Sequence, residues 1–313
     1  MNVPEELLQP QVMRLPDGRR LAWYEFGDIA GTPCIYTTGT PTSGLAGAFY
    51  HGAARASGVR WISPDKPGYG QSDYQAYRTL LDWPKDVVAL ADHLRLERFA
   101  AVGESGGGPH ALALCHALPQ RVSAGVVLAG LAPPGHAARR GMMRANRLMF
   151  WLAARSPALL WLPFAMARRN RLRPIENSGK QRRSLSTKLA EMPPADRELF
   201  ARPDFMGLLN RAGVEALRPG VRGAIQEVGM LARPWNFELS DVTVPVDIWH
   251  GTEDRNVPIA MGRALAAALP HGTLHVVDGA GHLASMSCHA QIMEVICRAA
   301  MADSHAAAAA GIA

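Results

Sequence analysis

The chain has 313 residues, 48% hydrophobic and 19% charged, with a formal net charge of +6. That length suits one large domain, or one domain carrying an insertion. It holds no uninterrupted apolar run of about 18 residues that would span a membrane, and the acidic, Pro-interrupted start MNVPEELLQPQVM lacks the basic and apolar regions of a signal peptide. The expected setting is cytoplasmic, with no stable membrane insertion.

Strand-like and helix-like runs alternate from the start. After the turn signal LPDG, the run RRLAWYEFGD alternates apolar and polar residues as a half-exposed strand does. PCIYTT predicts a buried strand, residues 46–56 a helix, and GVRWISPD a second buried strand. Residues 80–94 carry apolar side chains at helical spacing, RFAAVGES reads as a strand, 108–118 as a helix and RVSAGVVLAG as a further strand. The pattern then breaks. Residues 132–236 contain 19 Lys/Arg against 7 Asp/Glu, whereas the rest of the chain has 14 against 20. This basic stretch is helical in character and reads as an insertion, giving a core domain from 1–131 and 237–313 and a helical unit at 132–236. Its basic residues are not interleaved with aromatics and no nucleic-acid motif is present, which excludes nucleic acid as a partner. The strand VPVDIWHG, a helix at 259–269, the strand GTLHVVDG and a helix at 289–301 complete the chain, and the tail HAAAAAGIA is expected to fray. Short buried strands separated by helices predict an α/β fold, a mostly parallel sheet covered on both faces. The cysteines Cys34, Cys115, Cys288 and Cys297 form no C-x-x-C pair and are expected to be buried reduced thiols.

The chemistry concentrates in AAVGESGGGPHAL, where Gly103-Glu104-Ser105-Gly106-Gly107 forms a G-x-S-x-G pattern between a strand and a helix. A sharp turn there exposes the Ser105 hydroxyl and forces the residues two before and two after it together, so Gly103 and Gly107 suit it. The Gly106 N–H lies at the helix N-terminus, where negative charge is favoured. A serine nucleophile needs a base, and the base needs an acid. His282 lies in the Gly-flanked loop VVDGAGHLASM and Asp254 in the loop of WHGTEDRNVP, each after a predicted strand. The order Ser105, Asp254, His282 is that of a nucleophile-elbow hydrolase. Glu253 is the rival acid, while His250, His289 and His110 read as loop-shaping, helix-starting and ordinary helix residues.

These residues carry a resemblance. PDGRRLAWYEFGD, TGTP, SPDKPGYGQSD, VGESGGGP, WHGTEDRNVP and GAGHL jointly resemble the α/β-hydrolase fold superfamily, in its group with a helical cap. The resemblance implies a sheet of about eight strands with the second antiparallel to the rest, a cap formed by 132–236, and an oxyanion hole made by the backbone N–H groups of Thr40 and Gly106. Family members usually carry His-Gly where this chain has Thr38-Gly39, so the Thr38 hydroxyl is expected to replace part of that histidine's hydrogen bonding. Acyl transfer from a small-molecule ester follows, with neither metal nor organic cofactor required. Carbon–carbon bond hydrolysis and perhydrolase chemistry fit the same triad, and a non-catalytic ligand-binding protein on this fold is the alternative from another class. As a lid, the insertion would line a substrate pocket with Glu104, from the core, and with Phe150, Trp151, Trp161 and Phe164. The same aromatic stripe would equally serve as the insertion's own core.

Overall fold

Short runs rich in Val, Ile, Ala and aromatic residues form the middle of one sheet, because each is apolar enough to be buried on both faces. A computed structural model of the chain describes residues 3–135, 141–172 and 192–309, with 303–309 as backbone. Its strands are β1 (Gln11–Arg14), β2 (Arg20–Gly27), β3 (Thr32–Thr37), β4 (Val59–Pro64), β5 (Phe99–Glu104), β6 (Val122–Leu128), β7 (Val246–Gly251) and β8 (Gly272–Val277). They stand in the order β1-β2-β4-β3-β5-β6-β7-β8. β2 is antiparallel to both its neighbours and every other pair is parallel.

This order positions the site. The chain runs outward from β3 to β4 and then crosses back to β5, so the sheet reverses direction between β3 and β5. Ligands of open α/β sheets bind at such a reversal, beyond the carboxyl ends of the strands. Thr37 pairs with Gly103 at those ends, which brings the loop after β3 beside the turn after β5.

Helices α1 (His51–Ala56) and α10 (His289–Ala309) cover one face, and α2 (Trp83–His93), α3 (Gly108–Ala117) and α9 (Ile259–Ala268) the other. Between β6 and β7 the chain inserts α4 (Arg144–Arg155), α5 (Trp161–Arg171), α6 (Pro194–Ala201), α7 (Pro203–Ala216) and α8 (Arg222–Leu231), with no strand among the described residues. Phe150, Phe164, Val228 and Leu231 from these helices join the core cluster that contains Trp83 and Leu112. Part of the helical stretch, 173–191, lies outside the described residues.

Some expectations need correction. Leu21 to Phe26 are all buried, not alternately exposed, because β2 is paired on both edges and covered on both faces; the burial includes Glu25, whose carboxylate accepts from Arg60 Nε at 2.7 Å. β1 has no apolar alternation and was not anticipated. The helix expected at 46–56 begins as a 3-10 segment, Gly44–Tyr50, before α1. The last helix runs on to Ala309, into the stretch expected to fray. Cys34, Cys115 and Cys288 are buried free thiols, whereas Cys297 is partly exposed. No helix among the described residues is long and apolar enough to cross a membrane.

Candidate active site

β5 ends at Glu104, and the next residue, Ser105, has φ of 52°. A side chain in that left-handed region costs roughly 1–3 kcal/mol and persists only where its surroundings enforce it. Here they do. A Cβ on Gly103 would lie 2.3 Å from the Gly107 carbonyl oxygen, and one on Gly107 would lie 2.0 Å from the Thr37 carbonyl oxygen. Both glycines are therefore steric requirements of the turn that lifts Ser105 out of the sheet.

Ser105 Oγ lies 3.0 Å from His282 Nε2, and His282 Nδ1 lies 2.7 Å from Asp254 Oδ2. Asp254 Oδ1 accepts the backbone N–H groups of Asn256 at 2.8 Å and Val257 at 2.9 Å. A carboxylate at Nδ1 selects the tautomer with the proton on Nδ1, leaving Nε2 to accept from the serine hydroxyl. The three residues come from the ends of β5, β7 and β8. Burial acts to raise the Asp254 pKa, but the His282 charge and the bonds to its oxygens outweigh it and hold the group below the usual carboxylate range. Burial likewise acts to lower His282; the adjoining Asp254 carboxylate prevails and lifts it to about 9. The rival Glu253 is exposed. His250 shapes the loop, its Nε2 lying 2.7 Å from the Val257 carbonyl and 3.6 Å from Asp254 Oδ2.

Beside Ser105 lies the loop after β3. The Thr38 hydroxyl donates to the Thr42 carbonyl at 3.0 Å and closes its own turn. That bond spans Thr40 and lies within the loop where the hydroxyl was expected to replace part of a histidine's hydrogen bonding. The backbone is gripped instead by Lys66, whose Nζ donates to the carbonyls of Thr38 at 2.8 Å and Gly39 at 3.2 Å. Lys66 is fully buried and lies 2.6 Å from Oε1 of Glu227, which is equally buried, on α8 of the insertion. Glu227 Oε2 accepts the hydroxyls of Thr40, at 2.7 Å, and of Tyr69. Burial acts to raise the Glu227 pKa, but the neighbouring cations, Lys66 first and then Arg78, outweigh it and keep it low.

The same cluster reaches the residue after Ser105. His110 Nδ1 donates to the Gly106 carbonyl at 3.1 Å, and its Nε2 faces Glu227 Oε1 at 3.5 Å and Arg78 Nη1 at 3.4 Å. Burial pushes this imidazole down to about 3, so it is neutral. His110 is thus not an ordinary helix residue. Of the two residues expected to offer amides to an oxyanion, Thr40 is bonded to Glu227 and Gly106 to His110, and the two touch: a Cβ on Gly106 would lie 2.3 Å from Thr40 Oγ1.

A second carboxylate of the insertion backs the histidine loop. Asp196, on α6, accepts the backbone N–H of His282 at 2.9 Å and of Leu283 at 3.3 Å. It sits so close that a Cβ on Gly281 would lie 2.1 Å from its Oδ2. Sequence reasoning missed Lys66, Glu227 and Asp196. Only Glu227 left a trace, as the lone charged residue in the run GAIQEVGML.

Over Ser105 is a pocket of about 260 Å³. Thr40, Ser105, Gly106 and His282 form its base, and Met149, Phe150, Phe164, Val228 and Leu231 its apolar walls. Asn146 and Asn256 stand at one side, Nδ2 to Oδ1 at 3.4 Å. Trp151 and Trp161 do not reach it: they are 48% and 58% exposed, on the outward side of the stripe whose inward side carries Phe150 and Phe164. Glu104 is also outside it. Its carboxylate accepts from Tyr36 and from Ser285 Oγ at 3.2 Å, beneath the site. No group of three or more His, Cys, Asp or Glu side chains that could hold a metal ion occurs among the described residues.

Residues 43–287 match the family model described as the alpha/beta hydrolase fold. Among curated proteins, the chain is 27% identical over 288 residues to a 2-hydroxymuconate semialdehyde hydrolase of Pseudomonas putida, covering 90% of this chain and 91% of that protein. A stretch of 107 residues is 36% identical to the dihydrolipoyllysine-residue acetyltransferase component of the acetoin cleaving system of Pseudomonas putida, covering 34% of this chain but only 29% of that protein. Among solved structures, the enol-lactonase from Burkholderia xenovorans LB400 superposes with a TM-score of 0.66 at 18% identity, covering 93% of this chain and all of that one, a likeness of fold.

Proposed function

The chain belongs to the α/β-hydrolase-fold family, and on that premise we propose that it is a serine hydrolase cleaving a small carboxylic ester, or a related acyl bond, through an acyl-enzyme. The observation that carries this reading is the 3.0 Å approach of His282 Nε2 to the Ser105 hydroxyl on its strained turn. His282 takes the hydroxyl proton as Ser105 Oγ attacks the carbonyl carbon, and the carbonyl electron pair becomes an oxyanion beside the N–H groups of Thr40 and Gly106. His282 then gives the proton to the leaving alcohol. A water molecule, deprotonated by His282, attacks the acyl group, and the carboxylic acid leaves as Ser105 regains its proton. Asp254 keeps the imidazole in the right tautomer and stabilises the imidazolium. Lys66 and Glu227 act as positioning residues for the Thr40 loop, and Asp196 for the His282 loop. The helices of 132–236 act as the cap.

The pocket lies just below the roughly 300–1,000 Å³ of drug-sized sites and its walls are apolar, which favours short acyl chains. The test is fluorophosphonate labelling together with hydrolysis of p-nitrophenyl esters of graded length. Ser105→Ala should lose labelling and reduce kcat by on the order of 10⁵-fold or more. Full labelling of that variant would sink the assignment. Likeness to the semialdehyde hydrolase of Pseudomonas putida favours a second reading, hydrolysis of a carbon–carbon bond in a keto-enol substrate by the same residues. Turnover of β-diketones with esters left untouched would select it.

A further inference from the structure

A second, larger cleft of about 610 Å³ opens on the other side of α8. The helix separates the two: Val228 and Leu231 face the Ser105 pocket, while Gln226 and Met230 face the second cleft. Its lining includes three guanidinium groups, those of Arg78, Arg222 and Arg233, and no carboxylate.

Arg222 and Arg233 are exposed at the rim. Arg78 is an inner part of the wall, 5% exposed. Its Nη1 faces His110 at 3.4 Å, and its buried Nε and Nη2 make no hydrogen bond in the described protein. Buried polar groups are nearly always paired, and a guanidinium offers a flat fork that matches a carboxylate or phosphate. The neighbouring carboxylate, Glu227, is already engaged by Lys66, Thr40 and Tyr69. Lys66 and Arg78 are therefore two buried cations around one buried anion. Apart from Gln226, the rest of the lining is apolar or aromatic: it includes Trp161, Ile225 and Met230, and the Arg222 guanidinium lies over the Tyr74 ring, 4.4 Å from its centroid.

From this we propose that the cleft binds an organic oxyanion, a carboxylate or phosphate carried on a ring-sized apolar body, at a site separate from Ser105. The exposed arginines draw the anion in, Arg78 supplies the missing counter-charge contact, and Trp161 and Tyr74 cover the body.

Calorimetric titration with benzoate and with phenyl phosphate tests this, with benzyl alcohol as the neutral match and inorganic phosphate as the match without a body. Saturable binding is expected for at least one aryl anion, with both controls weaker by about tenfold or more. Ser105→Ala should bind as the wild type does. Arg222→Gln with Arg233→Gln, both exposed and remote from the fold's core, should weaken binding about fivefold or more, and Trp161→Phe should remove the fluorescence response. The proposal is overturned if the wild type binds neither aryl anion, if the double variant binds as well as the wild type, or if benzyl alcohol binds equally well. Sedimentation with phosphatidylglycerol vesicles in the absence of small-anion binding would also overturn it, by assigning the arginines to a membrane surface.

Discussion

Asp254 and Glu227 are both buried carboxylates near Ser105, and they keep different company. Asp254 stands on a loop of the sheet domain, bonded to one imidazole and two backbone amides. Glu227 stands on a helix of the insertion, bonded to an ammonium and two hydroxyls. The first touches the imidazole proposed to move a proton; the second touches groups that hold a loop. The difference teaches a division of labour within the proposed mechanism, in which the sheet carries the residues assigned to the chemistry and the insertion carries their supports.

That division can be broken by experiment. Asp254→Asn should lower kcat by on the order of 10⁴-fold, because the wrong imidazole tautomer is then favoured; a loss below tenfold would remove Asp254 from the proposed triad. The pH profile comes next. With His282 lifted to about 9, the neutral base becomes more abundant as pH rises, so kcat/KM should climb roughly tenfold per pH unit between 7 and about 9. Stability should move the other way. The folded-state value lies above the 6.5 of a free imidazole, so this contribution is fully present below about pH 6.5 and is lost as pH rises through about 9. A rate plateau already reached at pH 7 would contradict both.

The insertion should give smaller and differently shaped effects. Glu227→Gln leaves Lys66 buried without its anion, a loss of about 3–5 kcal/mol. Adding Lys66→Met should restore most of that stability while kcat stays roughly 10- to 100-fold down, with KM little changed, because the Thr40 amide is no longer held. A stable and fully active double variant would reduce Glu227 to a structural residue. Asp196→Ala should cost least, about tenfold in kcat, from two backbone amides left unpaired behind His282. Asp196→Asn, which keeps one acceptor, should recover part of it.

The two regions also differed in how far they could be read from the chain. Ser105 announces itself because its turn has a steric demand that only glycine meets at 103 and 107, and that demand is local. Asp254 and His282 follow from strand ends and chain order. Thr40 and Gly106 were linked in advance only by the family resemblance, and the pairing of β3 with β5 is what brings them together. Glu227 was not, since its partners Lys66, Thr40 and Tyr69 lie far away in the chain and a buried acid has the same letter as a solvated one. Asp196 reads as an ordinary acid in a helix's first turn. Trp151 and Trp161 were misplaced because helical spacing gives the apolar stripe but not which part of it faces the pocket. β2 looked half-exposed for a related reason: Glu25 breaks the apolar run, and only the structure supplies Arg60 as its partner.

The Lys66–Glu227 pair has a further consequence, for interchangeability. Helical caps invite exchange between relatives as if they were modules. Here, the helices between β6 and β7 carry an anion whose cation belongs to the sheet domain, and an acceptor whose donors belong to the histidine loop. A transplanted cap without an acid at the position of Glu227 would strand Lys66. A recipient scaffold without Lys66 would strand the acid. An exchange of this insertion would therefore have to carry at least Lys66, Tyr69, Thr40 and Gly281 with it, a set defined by contacts across the chain and not by a continuous segment of it.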